Sequence, residues 1–250
     1  MHRKIQFFFI TFLVLVSSCN GQPQIKPNTT LAIGAATLVQ NPIGNPASNG
    51  TLRTPNVTSQ TSNSIFLTSI ARGGWGNDQS QGVQDSYNNA YSILGTGHFY
   101  IDYKTSGTGV FYSTTSSGGA NHSFFAPCDT DEVTLSSIEV RGASSIESHS
   151  WVERPAANTI TSNQVHTNGA AILIAWWWGS GGVRTVGSLH KAVPGSGFTL
   201  IPNASGLVSI DPSGYIQVAA AYKIVNAAGD YTISWQTDQE GAQLYLIALH

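Results

Sequence analysis

Charge is the scarcest component of this 250-residue chain. Asp, Glu, Lys and Arg make up 10% of it, against about a quarter in ordinary soluble domains. The balance is slightly acidic, 13 acidic residues to 11 basic, and no basic run occurs. That excludes nucleic-acid binding by phosphate neutralisation. Cysteine is nearly absent: only Cys19 and Cys128 occur, too few for a disulfide scaffold. Helical patterning is missing too, since no apolar run of period 3.6 carries both a cap and a stop. The seven histidines show no HxH or HExxH spacing, and no serine sits in a Gly-x-Ser-x-Gly elbow. No apolar run reaches the roughly 20 residues of a membrane helix.

What remains is a β-protein composition. Aromatic residues are 10% of the chain, enough for a packed core, and glycine is frequent at 26 residues. Tyr231, Ile233 and Trp235 alternate with Thr232, Ser234 and Gln236, the period-two signature of a strand with one apolar face. The C-terminal stretch reads as Tyr215–Val225, a turn, Tyr231–Thr237, a second turn, and Gln243–His250. The same grammar recurs at Val110–Ser116, His122–Phe125 and Val133–Val140.

The N-terminus reads as an address. His2, Arg3 and Lys4 precede an apolar region, Ile5–Val16, interrupted only by Gln6 and Thr11. Val16-Ser17-Ser18-Cys19 follows and resembles the lipobox of bacterial lipoproteins. The resemblance implies a signal peptide over residues 1–18, lipidation of Cys19, and a bacterial cell-envelope location outside the cytoplasm, anchored to the membrane by lipid. An ordinary cleaved signal peptide is the alternative. Removing Arg3 and Lys4 leaves 9 basic residues against 13 acidic ones, a net charge of about −4. Residues 19–30 read as a polar tether, and Cys128 as an inert buried thiol.

From residue 31 to 250 the expectation is one antiparallel β-sandwich, jelly-roll-like, with a degenerate internal duplication. Leu31–Val39 reads as an edge strand, Asn41–Asn63 as a long surface connection, and Ser64–Arg72 as a short apolar strand. Ala170–Trp178 is apolar almost throughout, as in a strand buried on both faces. Ile65-Phe66-Leu67 echoes Ala171-Ile172-Leu173, Tyr112 echoes Tyr222, and Leu135, Ile138 and Val140 echo Leu244, Ile247 and Leu249. The offsets of 106 to 110 suggest halves of about 64–141 and 148–250 packed on each other. Two tandem small sandwiches are the alternative.

Several short motifs fit together. Asp85, Asn88, Asn89, Tyr91, Leu94 and Gly95 make an Asp-x-x-Asn-Asn turn followed by Tyr-x-x-Leu-Gly. Gly118, Gly119 and His122 form Gly-Gly-x-x-His. Asp131, Glu132, Val133, Thr134 and Leu135 form an acidic pair running into a strand. Trp151 with Glu153, and Ala227, Ala228, Gly229 and Tyr231, complete the set. This set resembles a family of uncharacterised exported bacterial proteins, whose first turn has Gly where Asn88 stands here. The resemblance covers roughly residues 30–250 and implies a β-sandwich or jelly-roll fold; it brings no activity and no catalytic residue.

Ligand binding is the functional expectation, with a glycan as the favoured ligand. Tryptophan stacks on sugar rings, and Asn, Asp and Glu hydrogen-bond hydroxyls. The candidates are Trp75, Asp78, Asp85 and Asn89 in and after a polar loop, and His149, Trp151 and Glu153 on one face of a strand. No cofactor is required, although Asp129, Asp131 and Glu132 offer hard oxygens to calcium. Trp176-Trp177-Trp178 must split between two faces. A structural or adhesive surface module contacting other proteins is one rival. A carbohydrate-active enzyme using Glu153 and a distant acid is the other.

Overall fold

The computed structural model describes residues 30–41, 50–73, 82–101, 104–114, 117–128, 132–179, 191–206 and 217–250. Among them the regular elements are strands, apart from 3-10 conformation at Gly50 and at Pro202–Ala204. The first half contains β1 (Ala32–Asn41), β2 (Thr51–Arg53), β3 (Ser64–Arg72), β4 (Gln84–Asp85), β5 (Ser92–Ile93), β6 (His98–Phe99), β7 (Gly107–Ser113), β8 (Phe124–Pro127) and β9 (Val133–Arg141). The second contains β10 (Ile146–Thr161), β11 (Val165–Thr167), β12 (Ala171–Gly179), β13 (Ala192–Pro194), β14 (Thr199–Leu200), β15 (Val218–Val225), β16 (Gly229–Tyr231) and β17 (Ser234–Leu249).

Each half builds its own inner sheet. The first is ordered β1-β9-β3-β7-β5 with β6 also on β7, and the second β10-β17-β12-β15-β14 with β13 on β17. All pairings are antiparallel. In the first half β2, β8 and β4 form an outer sheet, so the chain crosses repeatedly between layers as in a jelly roll, with β5, β6 and β7 together in the inner sheet. In the second half the outer layer is made by β11 with β16, by β13, and by the far ends of β10 and β17. Those two strands run 16 residues each, passing from inner sheet to outer layer through register shifts. The turn expected between Thr237 and Gln243 is therefore a bulged continuation of β17, with Gln239 at φ 56°.

The two inner sheets stack, and the seam between them holds the expected sandwich core. Ile65, Leu67, Val110, Ile138 and Val140 meet Ile172, Ile174, Trp176, Trp178 and Ile247. A second core lies within each half. Leu52, Ile70, Phe111 and Leu135 pack under the outer sheet of the first. Leu173, Trp177, Trp235 and Leu244 do so in the second. The molecule is thus four layers deep: two jelly-roll-like halves, each with its own core, joined through a third.

The duplication is visible in the register. Leu67 pairs with Tyr112 and Ile138, and Ile174 pairs with Tyr222 and Ile247. Ile65 therefore corresponds to Ile172, an offset of 107 rather than the 106 read from sequence. One residue matters, because a slip of one turns every side chain to the opposite face. The first half also begins earlier than residue 64: β1 matches β10, and both edge strands are irregular at the same place, between Ile33 and Ala36 and between Ile146 and Ser148.

The tryptophan triplet splits as its spacing requires. Trp176 and Trp178 enter the seam, where their Nε1 atoms donate to Ser136 Oγ at 2.9 Å and Ser69 Oγ at 2.8 Å. Trp177 points the other way, into the second half's own core. All three are fully buried, so the triplet offers no platform to a ligand.

Candidate functional site

The sequence-predicted trio His149, Trp151 and Glu153 lies on alternate positions of β10, opposite Ile247, Tyr245 and Gln243 of β17. The trio faces β6 and the residues around it across one end of the seam. The His98 ring stacks on the Trp151 indole with centroids 3.7 Å apart and planes 10° apart. Gly95 lies against the His149 ring, close enough that a Cβ would stand 3.3 Å from Nε2. Glu153 accepts the Ile101 N–H on both oxygens, at 3.0 and 3.2 Å. Gln243 Nε2 donates to Glu153 Oε2 at 3.0 Å. Behind it, Thr108 Oγ1 donates to Gln243 Oε1 and lies 2.9 Å from the Tyr245 hydroxyl. A chain of hydrogen bonds thus runs from the buried Tyr245 out to the half-buried carboxylate.

The electrostatics follow from this packing. Burial, and then the neighbouring His149, lower the His98 pKa, so its ring is neutral at neutral pH. Burial raises the Tyr245 phenol, and burial with Tyr245, Glu153, Glu240 and Glu132 nearby raises Tyr100, so both stay protonated. Among the described residues no Lys or Arg pairs with Glu153. The site presents one carboxylate, two imidazoles, a half-buried indole and the 71% exposed side chain of Ile101.

The opposite end of the seam shows what the fold alone needs there. Leu38 pairs with Ser136 as Trp151 pairs with Tyr245, and Gln40 pairs with Thr134 as Glu153 pairs with Gln243. Gly206 pairs with Val218 as His98 pairs with Thr108. By the same register Ala36 stands where His149 does. Gly206 comes so close to Leu38 and Gln40 that a Cβ would lie 2.7 and 2.6 Å from them. Among the described residues two small residues, a leucine and a glutamine close this end; a histidine, an indole and a carboxylate close the other.

The other candidates fare differently. Asp85 is not available to a ligand, being 1% exposed. Its Oδ1 accepts the N–H groups of Tyr87 and Asn89, and its Oδ2 accepts Asn89 Nδ2 and the Tyr91 hydroxyl. Asn89 is tied into the same turn and to Ser117. The Asx-turn reading of this segment is therefore the one the structure supports. Trp75, Asp78, Cys19, Asp129 and Asp131 lie outside the described residues. Glu132 is partly buried, and among the described residues no group of three His, Cys, Asp or Glu is placed to hold a metal. Cys128 is buried, with Asn41 Nδ2 3.4 Å from its sulfur.

One constellation escaped the sequence reading. His122 Nδ1 lies 2.7 Å from Ser59 Oγ, and its Nε2 lies 3.1 Å from Asp85 Oδ2, close but poorly aligned for a hydrogen bond. The order Ser-His-Asp invites comparison with a hydrolase triad. The environment argues for a structural clamp. His122 is fully buried among Phe66, Tyr87 and Phe124, and Ser59 Oγ also accepts the Gly119 N–H. Gly118 is required because any Cβ would collide with Ser59 and the Gln60 carbonyl. The equivalent corner of the second half uses Thr167 and Tyr231, whose hydroxyls both donate to the Ala227 carbonyl. No family model, curated protein or solved structure matches this chain.

Proposed function

We propose that the chain is a cell-envelope lipoprotein whose extracytoplasmic double jelly roll binds a glycan at the end of the seam marked by His98, Ile101, His149, Trp151 and Glu153. The supporting observation is the difference between the two seam ends. Among the described residues Ala36, Leu38, Gln40 and Gly206 close one end, so the shared fold does not dictate the aromatic and ionisable set at the other. Glu153, held as a fixed acceptor, meets sugar hydroxyls; the exposed His149 ring adds a further hydrogen-bonding group; Ile101 and the half-buried indole meet an apolar ring face. Glu153 is braced on both oxygens, which suits recognition better than proton transfer.

A glycan array probed with the Asn20–His250 fragment, with and without calcium, tests this. Trp151→Ala, Glu153→Gln and Trp75→Ala variants run beside it. Specific signals lost in the first two variants support the seam site, and loss only in Trp75→Ala moves the site to the preceding loop. No signal for any variant favours an adhesive module, to which the exposed Ile101 would contribute an apolar contact. Lipid anchoring is tested separately: processing unchanged by globomycin would sink it.

A further inference from the structure

Each half uses a glutamate to accept the same backbone N–H, and the two solutions differ in what stands opposite the carboxylate. In the first half Glu139 of β9 is fully buried. It accepts the N–H groups of Ala35 and Gln60 and the Ser64 hydroxyl. Its charge is met by a guanidinium, with Arg141 Nε 3.2 Å and Nη2 3.1 Å from Oε2. Gly34 makes room, since any Cβ there would collide with this pair.

In the second half Ala248 stands at the position of Glu139, and His250 at that of Arg141. The carboxylate comes instead from Glu147 of β10, near the position of Gly34. Its Oε1 accepts the N–H of Asn168, the counterpart of Gln60, at 2.7 Å, and Asn168 Nδ2 at 2.5 Å. Among the described residues the nearest ionisable partner of its Oε2 is the His250 imidazole, at 3.9 Å, beyond hydrogen-bond reach. Between them opens a cavity of about 380 Å³ lined by Glu147, Asn168, Gly169, Ala170 and His250. His250 is held aside by Ser145 Oγ, 3.1 Å from its Nε2. Gly169 faces open space, with nothing within 4 Å of a Cβ built on it.

We infer that this cavity binds a guanidinium group. The first half holds the occupied version of the arrangement, a carboxylate braced by a loop N–H and paired with arginine. The second half keeps the braced carboxylate and leaves the space beside it open. A planar guanidinium donates to Glu147 Oε2, and the cavity has room for its alkyl stem. The site is separate from the seam end proposed for glycans.

Two sources share this chemistry, a free guanidino compound and an arginine side chain of another protein. The test is saturation-transfer NMR and calorimetry on the detergent-solubilised full chain. The probes are agmatine, an acetylated Gly-Arg-Gly amide, and putrescine as the ammonium control. The inference expects agmatine or the peptide to bind at least tenfold more tightly than putrescine. Glu147→Gln weakens that binding at least tenfold, and so does Gly169→Leu, which fills the cavity and leaves the carboxylate in place. Trp151→Ala leaves it unchanged. Tighter binding of the peptide points to a protein partner, and tighter binding of agmatine to a small molecule. Absence of binding, equal binding of putrescine, or binding that persists in both folded cavity variants overturns the inference.

Discussion

The two halves share strand order, register and even the irregularity in their edge strands, yet they fill matching outer-facing positions of their inner sheets with different chemistry. The first half packs its outer-facing positions with polar groups: Ser64 on Glu139, Thr68 Oγ1 on Ser137 Oγ at 3.0 Å, and the Ser59-His122-Asp85 clamp. The second half places Ala171 and Ala248, then Ala175 and Leu246, at the matching positions. Its bulk comes from Trp177 and Trp235. Hydrophobic burial is non-directional and indifferent to pH, whereas buried carboxylates stabilise only while ionised and hydrogen-bonded. One backbone plan is thus stabilised in two ways.

The largest effect that would break the comparison belongs to the apolar half. Trp177→Ala is expected to cost about 3–5 kcal/mol through cavity formation. A shift in urea midpoint measures it, and the loss should be equal at pH 4 and pH 7. Glu139→Ala should cost about 3 kcal/mol at pH 7, because it strands Arg141 and the donors on Ala35, Gln60 and Ser64. Unlike the tryptophan loss, this one should shrink on acidification; a constant penalty would contradict the polar account of the first half.

Acid should also separate the halves within one molecule. Burial acts to raise the pKa of Asp85, but contacts with His122, Asn89 and Tyr91 outweigh it, and the folded value lies below the ordinary one. For Glu139, burial is likewise outweighed by bonds from Ala35, Gln60, Ser64 and Arg141. With folded values below unfolded ones, the contribution is complete above the ordinary carboxylate range and is lost as pH falls through the folded values. Hydrogen exchange, corrected for intrinsic rates, should therefore show β2, β4 and β8 opening before β12 and β17 at pH 3. Simultaneous opening would mean that the seam, not the separate cores, sets cooperativity.

Smaller effects sharpen the picture. Leu38→Ala and Trp151→Ala, at matching positions of the two seam ends, should each cost about 1–2 kcal/mol, since both side chains are only partly buried. Only Trp151→Ala should alter glycan binding. Ser59→Ala should cost about 1 kcal/mol by removing one clamp contact. Labelling of Ser59 by a fluorophosphonate would contradict its structural reading.

Much of this was legible in the sequence wherever a pattern survives burial on one or both faces. Ala170–Trp178 and Val133–Val140 announce central strands, and alternation alone places His149, Trp151 and Glu153 on one side of β10. The duplication was legible to within one residue, because apolar runs such as Ile65-Phe66-Leu67 match equally well at neighbouring offsets. What escaped was pairing at a distance. His98 meets Trp151, and Ser59 meets His122, through contacts that only the layer stacking creates. Gln243 carried a local signal, being a polar residue within the apolar run Ala242–Leu249. The short strands β2 and β13 escaped because three residues are too few for a period to register.

The one-ended character of the seam has a consequence for how such a surface can specialise. In a symmetric homodimer every substitution appears twice, so neither of two symmetry-related seam ends can change alone. Here both copies of the fold lie in one chain, and that coupling is gone. Gly206 and Leu38 can preserve a tight fit at one end while His98 and Trp151 exchange fit for chemistry at the other. A covalent pseudo-dimer can therefore carry a single asymmetric site and need tolerate the associated loss of packing only once.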